Sequence, residues 1–246
     1  MIHTTEGIVL RTVRHQDSNL IATLYTRDFG PKSFIVKGFR SMKARRSHSF
    51  FQPLSIVEVV FVNKETRSVQ PVSETRSAVW LQSLQQDPVK LSLGLSMLEI
   101  FSDTVREESP NPPHYDFLRE TLLSLDRSDQ RLIQIFLWFL VHHTRFLGFF
   151  PNDCSQGAAC VAFDPVTGLL TPAADSSLDT AALLRQFLYA TLDPLPEPQG
   201  CQTIRFDALR KRSLIRLIFE YYAAHVTGFQ YPQTMKVFSE VFGGAD

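Results

Sequence analysis

Little in this sequence announces chemistry. Three cysteines among 246 residues cannot build a disulfide framework, and their odd number leaves at least one thiol free, which fits a reducing cytosol. No net charge remains, because 25 basic and 25 acidic residues cancel. The longest apolar run, Ile133–Val141 (IQIFLWFLV), is too short to span a bilayer and reads as a buried helix. The opening MIHTTEGIVLRTVRHQ lacks a basic stretch followed by an apolar one, so no signal peptide is expected. G-x-S-x-G, a Walker loop, G-x-G-x-x-G and H-E-x-x-H are all missing. So are internal repeats and low-complexity tracts. The joint absence of these signatures favours a binding protein over an enzyme.

What is present is an ordinary globular composition, 44% hydrophobic and 20% charged, with 20 phenylalanines to fill a dense core. The length suits one large domain or two smaller ones. Over the first 80 residues the pattern is that of strands: Gly7–Val13, Leu20–Thr26, Ser33–Lys37, Ser55–Val62 and a weaker one within Ser68–Val79. Asp28-Phe-Gly-Pro31 supplies turn chemistry between the second and third. Five short strands predict a small closed barrel, with an extended SH3-like barrel as the alternative.

Beyond about Ala78 the apolar period changes from 2 to 3.6. Asp87-Pro88 starts a helix whose stripe Val89, Leu93, Met97, Ile100, Phe101 and Val105 runs to about Glu107. Further helices are expected over Tyr115–Leu125, over Gln130–Gly148 with Ser128 or Asp129 as cap, over Leu178–Thr191, over Phe206–Val226, and over Thr234–Phe242. Residues 149–176 read as irregular, and Asp193–Gly200 (DPLPEPQG) as a rigid connector. The expected organisation is therefore a barrel domain at 1–80 and a helical domain at 81–246.

Charge is sorted along this plan. Residues 1–80 hold 12 Lys/Arg and 6 Asp/Glu, a balance of +6, and the remainder of the chain holds 13 and 19. The densest stretch is KGFRSMKARR, with Lys37, Arg40, Lys43, Arg45 and Arg46 shortly after Lys32. A cationic loop on a barrel face can neutralise phosphates, and Phe39 among the cations can stack on a base. Arg40, Arg45 and Arg46 suit bidentate phosphate contacts or flat packing on bases. A solvated loop whose charges merely maintain solubility is the competing reading. A second basic cluster, Arg205, Arg210, Lys211, Arg212 and Arg216, lies on a helix where Leu214, Ile218, Tyr221 and Tyr222 point inward. Arg212 and Arg216 share a face one turn apart and suit an acidic peptide or an extended nucleic-acid path. An ordinary solvated face explains them as well.

Cys154, Cys160 and Cys201 lack the close pairing of a zinc site, and no histidine neighbours them in sequence. Adjacent His142 and His143 face different directions on a helix, so one is expected to pack or cap and the other to meet solvent. Glu107-Glu108 reads as a polar helix end rather than a carboxylate dyad.

Taken in order, these residues resemble the bacterial RecO family. The resemblance runs through Glu6-Gly-Ile-Val-Leu10, Asp17 before Leu20–Leu24, and Thr26-Arg-Asp-Phe-Gly30. It is firmest at Val36-Lys-Gly-Phe-Arg40 and Gln52-Pro53-Leu54. It continues in Leu147-Gly-Phe-Phe-Pro151 and in Phe163-Asp164 with Gly168, so it covers essentially the whole chain. One departure concerns metal: many family members carry two C-x2-C pairs where this chain reads NDCSQGAAC. Cys154 aligns with the first ligand, but Gly157 occupies its partner's place and Cys160 falls off the pattern. The loop is accordingly expected to be held by packing and hydrogen bonds, with no metal and no cofactor.

The resemblance implies an α+β multidomain protein: an N-terminal five-stranded OB-fold β-barrel and a mainly α-helical C-terminal domain. It implies a cytoplasmic, nucleoid-associated mediator of DNA recombination and repair that binds single- and double-stranded DNA and anneals complementary strands. Implied partners are RecR, the acidic C-terminal tail of single-strand-binding protein, and indirectly RecF and RecA, with no membrane. The barrel cations expected to meet DNA are Arg11, Arg14, Lys32, Lys37, Arg40, Lys43, Arg45 and Arg46, with Phe39. Two other classes compete with this reading. One is a protein–protein adaptor with an incidental basic loop; the other is a metal-dependent nuclease, which would need clustered carboxylates where the barrel region has six scattered acids.

Overall fold

β-branched and aromatic residues alternate through the first eighty positions, and in the computed structural model they form five strands. The structure describes residues 1–15, 19–37, 50–64, 66–174, 179–192 and 200–234. The strands are β1 (Ile2–His15), β2 (Asn19–Thr26), β3 (Gly30–Lys37), β4 (Ile56–Val62) and β5 (Val69–Val79). They close a barrel in the order β1-β2-β3-β5-β4. All neighbours are antiparallel except β3 and β5, which pair in parallel over Ser33–Ile35 and Val69–Pro71. This is the five-stranded OB-like barrel expected from the sequence.

Closure depends on the length of β1. Its first half pairs with β4 and its second half with β2, with a bulge between Val9 and Arg11 where the partner changes. The barrel interior is filled by Val9, Ala22, Leu24, Phe34, Val36, Phe51, Val57, Val59 and Phe61. At the β2–β3 turn Gly30 has φ +65°, and a Cβ there would come within 2.7 Å of the Glu108 carbonyl oxygen. Only glycine fits that close approach.

The chain divides into two compact units, Met1–Asp126 and Arg127–Asp246. Helices α1 (Gln82–Gln86), α2 (Pro88–Thr104) and most of α3 (Pro112–Arg127) thus share a unit with the barrel. The change from strand to helix near residue 80 is a change of secondary structure within that unit. Asp87 caps α2 through Val89 N and Lys90 N, as its position before Pro88 suggests. One outer side of the barrel is covered: Tyr25 packs edge-on to Phe101 at 4.8 Å and stacks with Tyr115 at 6.2 Å.

The second unit contains α4 (Leu132–Phe146), a sheet β6 (Asn152–Asp153), β7 (Val161–Asp164) and β8 (Leu169–Pro172), α5 (Asp179–Tyr189), a 3-10 turn at Cys201–Thr203, and α6 (Ala208–His225). Three expectations are corrected here. The segment expected to be irregular over 149–176 is so only in part, because 152–172 hold a small sheet in the order β6-β8-β7. Its strands of two to four residues are too short to display alternation. Neither Ser128 nor Asp129 caps α4; Arg131 occupies the N-cap in the left-handed region, and Ser128 Oγ accepts from Gln202 Nε2. His142 and His143 are both buried, since α4 is surrounded there: His142 stacks on Trp138, and His143 lies between Phe139 and Tyr222. The terminal helix expected over 234–242 and the connector at 193–199 fall essentially outside the described residues.

Candidate nucleic-acid interface

Strand alternation alone would put Arg11 on the same face as Val9, inside the core. The bulge prevents this. Val9 pairs with Leu24, but two residues later Arg11 pairs with Thr23, so the extra residue, Leu10, reverses the facing of everything that follows. Arg11 consequently emerges on the outer face, in register with Thr23 and Ser33. Its Nε donates to Thr23 Oγ1 at 3.4 Å, and Thr23 Oγ1 lies 3.4 Å from Ser33 Oγ. The next outward rung is Val13–Ile21–Ile35, and beyond it His15 pairs with Asn19. Val13 is 59% exposed. This face therefore presents a guanidinium, two hydroxyls and a band of aliphatic side chains.

The expected basic residues do not all share it. Arg14 pairs with Leu20 and so falls on the opposite alternation from Arg11, exposed where β1 has β2 as its neighbour. Lys32 pairs with Leu24, again on the inner alternation, and its Nζ reaches over the Phe29 ring at 6.0 Å from the centroid. There Phe29 also meets His3 and Phe61. Lys37 occupies the final register position of β3, opposite Asn19. Phe39, Arg40, Lys43, Arg45 and Arg46 lie outside the described residues.

The first unit is electrostatically two-sided. In β1, β2 and β3 the single acid is Glu6, which accepts from Tyr115 Oη at 2.9 Å and from Arg119 Nε at 2.8 Å. β4 and β5 carry Glu58, Glu74 and Arg76, with Arg76 Nε 2.7 Å from Glu58. Residues 81–126, which form the helical cover, hold 3 Lys/Arg and 8 Asp/Glu. Burial within that cover moves several ionisations. It pushes Tyr25 up to about 12, with Glu107 adding to the rise, and pulls His114 down to about 4. Burial and then the neighbouring Glu6 carboxylate raise Tyr115 well above the ordinary phenol. Arg27 closes a bidentate pair with Asp116 of α3, both bonds 3.0 Å.

In the second unit the cysteine loop is organised around Asp153. Its carboxylate accepts from Ser155 N, Ser155 Oγ and Tyr189 Oη, and these bonds hold it below the usual carboxylate range, chiefly through the Ser155 hydroxyl. Arg185 donates to the Ala158 carbonyl at 2.7 Å. Cys154 and Cys160 flank β8 on opposite sides, through Cys154 N to Leu170 O and Ala173 N to Cys160 O, and Cys201 is buried. Among the described residues no three His, Cys, Asp or Glu side chains gather closely enough to hold a metal ion. Arg212 and Arg216 are exposed on α6, and Arg216 pairs with Glu220 at 2.9 Å. Sequence reasoning missed the bulge and the hydroxyl rung, because it placed the first strand at Gly7–Val13 and not over the fourteen residues of β1. It also missed a cleft of about 520 Å3 between the end of α5 and the 3-10 turn, lined by Tyr189 and Arg205 among others.

A five-stranded OB-like barrel that displays Arg11 beside Thr23 and Ser33 on one outer face, joined to a helical region, defines a class of barrel-plus-helix proteins. Within that class the family is clear. The model for the N-terminal part of recombination protein O matches residues 1–78, and that for its C-terminal part matches residues 85–234. The chain belongs to the RecO family. It is 27% identical over 253 residues to the DNA repair protein RecO of Azobacteroides pseudotrichonymphae, covering 98% of this chain and all of the relative. It is 29% identical over 242 residues to the DNA repair protein RecO of Flavobacterium johnsoniae, covering 97% and 98%. Over 252 residues it is 29% identical to that of Phocaeicola vulgatus, covering 98% and 100%. Among the described residues no helix is long and apolar enough to cross a membrane.

Proposed function

We propose that this chain is a non-enzymatic DNA-binding mediator of recombination and repair. It binds single- and double-stranded DNA, anneals complementary strands and, with RecR, helps to load RecA onto strands covered by single-strand-binding protein. The observation that carries this reading is the two-sided first unit. The barrel's open face exposes Arg11 beside Thr23 and Ser33, while acids dominate the helical cover on another side. A polyanion is drawn to the first and repelled by the second. The aliphatic band on the same face offers no unique base-edge readout, which suits sequence-tolerant contact. Annealing needs no catalytic residue: cations that screen two phosphate backbones let the bases pair.

Lys37 and, outside the described residues, Phe39, Arg40, Lys43, Arg45 and Arg46 are further DNA contacts in this reading, whereas Arg14 and Lys32 stand on the opposite alternation, beside the Arg11 face rather than on it. The acidic tail of single-strand-binding protein is assigned to the helical region, with Arg212 and Arg216 as its candidate contacts, and RecF acts indirectly. The protein works in the cytoplasm at the nucleoid. Annealing of complementary oligonucleotides coated with the cognate single-strand-binding protein tests DNA and partner contact together. Acceleration by the chain with RecR is expected, and no acceleration at any ratio would sink the reading. The outward Val13–Ile21–Ile35 band, exposed at Val13 and half-buried at Ile21 and Ile35, favours a second reading, in which this face docks a protein and the chain is an adaptor. A DNA affinity insensitive to salt would select it.

A further inference from the structure

The cleft between the end of α5 and the 3-10 turn has the parts of a nucleotide subsite. It measures about 520 Å3 and is lined by Gln186, Tyr189, Ala190, Gly200, Thr203, Ile204 and Arg205. Tyr189 is 66% exposed, and its ring makes no aromatic contact among the described residues. Such a ring would ordinarily be covered or mobile, yet this one is fixed. Its hydroxyl donates to Asp153 Oδ2 at 3.0 Å, and Asp153 is in turn held by Ser155. A phenol face tethered at its hydroxyl and open to solvent offers a stacking platform with less side-chain entropy left to lose. Buried Ile204 and Ala190 supply an apolar floor. Arg205 is exposed and makes no ion pair or hydrogen bond among the described residues. The one acid in contact with the platform, Asp153, is offset by the neighbouring Arg185.

Resting on the DNA-binding reading above, we infer that this cleft is a second single-strand contact, holding one nucleotide with its base on Tyr189 and its phosphate on Arg205. The two compact units then each carry a strand-binding surface. One chain can hold two strands, which is what annealing requires of a protein without catalytic groups. The ligand class is a nucleoside phosphate within a single strand. An acidic peptide is the competing occupant and is separated by the test.

The full chain is titrated with an oligothymidylate carrying one 2-aminopurine, at 0.1 M salt, following both affinity and quenching of the base. Arg205→Ala is expected to weaken binding about fivefold, the effect of one lost phosphate contact. Tyr189→Ala is expected to remove most of the quenching, and Tyr189→Phe, which keeps the ring but loses its bond to Asp153, to restore part of it. Arg205→Ala and Tyr189→Ala titrations superimposed on wild type would overturn the inference. So would an acidic peptide that binds wild type and is lost with Arg205→Ala while oligonucleotide binding stays unchanged. Arg11→Ala separates the two readings. If it has no effect while Arg205→Ala does, the barrel face fails and the cleft stands; the reverse pattern overturns the cleft alone. No binding by the wild type overturns both.

Discussion

Replacing Arg11 by Ala, beside a parallel Lys32→Ala, tests whether the β1 bulge decides where DNA lies. Both residues are barrel cations and a linear reading treats them alike. The register separates them: Arg11 stands on the outer rung with Thr23 and Ser33, whereas Lys32 pairs with Leu24 and lies over Phe29. Each phosphate contact on single-stranded DNA contributes about 0.7 to the slope of log K against log salt. Losing one contact at 0.1 M salt therefore costs about fivefold in affinity, or ~1 kcal/mol. Arg11→Ala should lower affinity by that factor and flatten the slope by about 0.7, with far-UV circular dichroism unchanged because the side chain is exposed. Lys32→Ala should leave the slope within error of wild type. Fluorescence anisotropy with an oligothymidylate at four salt concentrations between 0.05 and 0.3 M gives both quantities. Equal slope losses for the two variants, or none for Arg11→Ala, would refute the assignment of the binding face.

Acid should destabilise both units. Burial holds His114 and His142 down at about 4, against about 6.5 when unfolded, so the unfolded chain takes up protons that the folded chain refuses. Stability is then full above about pH 6.5 and falls as pH drops, by about 2 kcal/mol per histidine at pH 5; chemical denaturation at pH 7.5 and 5 reads the loss, and a flat profile would contradict the burial. Gly168→Ala should destabilise by about 1–3 kcal/mol, because φ is +71° there and a Cβ would come within 2.6 Å of the Tyr221 hydroxyl, which bonds the Phe149 carbonyl. A lower thermal midpoint is expected, and an unchanged one would show that Tyr221 yields freely. A fragment of residues 1–126 should melt cooperatively, while 1–80 should not. The shorter piece uncovers Ile8 and Tyr25 and deprives Glu6 of Tyr115 and Arg119; equal cooperativity in calorimetry would refute the division.

Much of the fold was legible because its signals are local. β-Branched alternation marks all five barrel strands within a residue or two at most ends, and Asp87-Pro88 marks the start of α2 through capping chemistry contained in two residues. The small β6-β8-β7 sheet was not legible, since two to four residues carry no period. Nor could local spacing say that both His142 and His143 are buried, because their covering partners, the Phe187 carbonyl of α5 and Tyr222 of α6, lie far along the chain.

The chain's own sequence determined the barrel-plus-helix plan, the family, and the concentration of positive charge in the first eighty residues. Tertiary structure decided how that charge is displayed. One extra residue at Leu10 turns Arg11 out of the core, and register with β2 places Lys32 on the other alternation. It also gave the barrel an acidic helical cover and brought Tyr189 and Arg205, sixteen residues apart, to one cleft. Strand pairing and helix packing are interactions between distant segments. No window of sequence contains both partners.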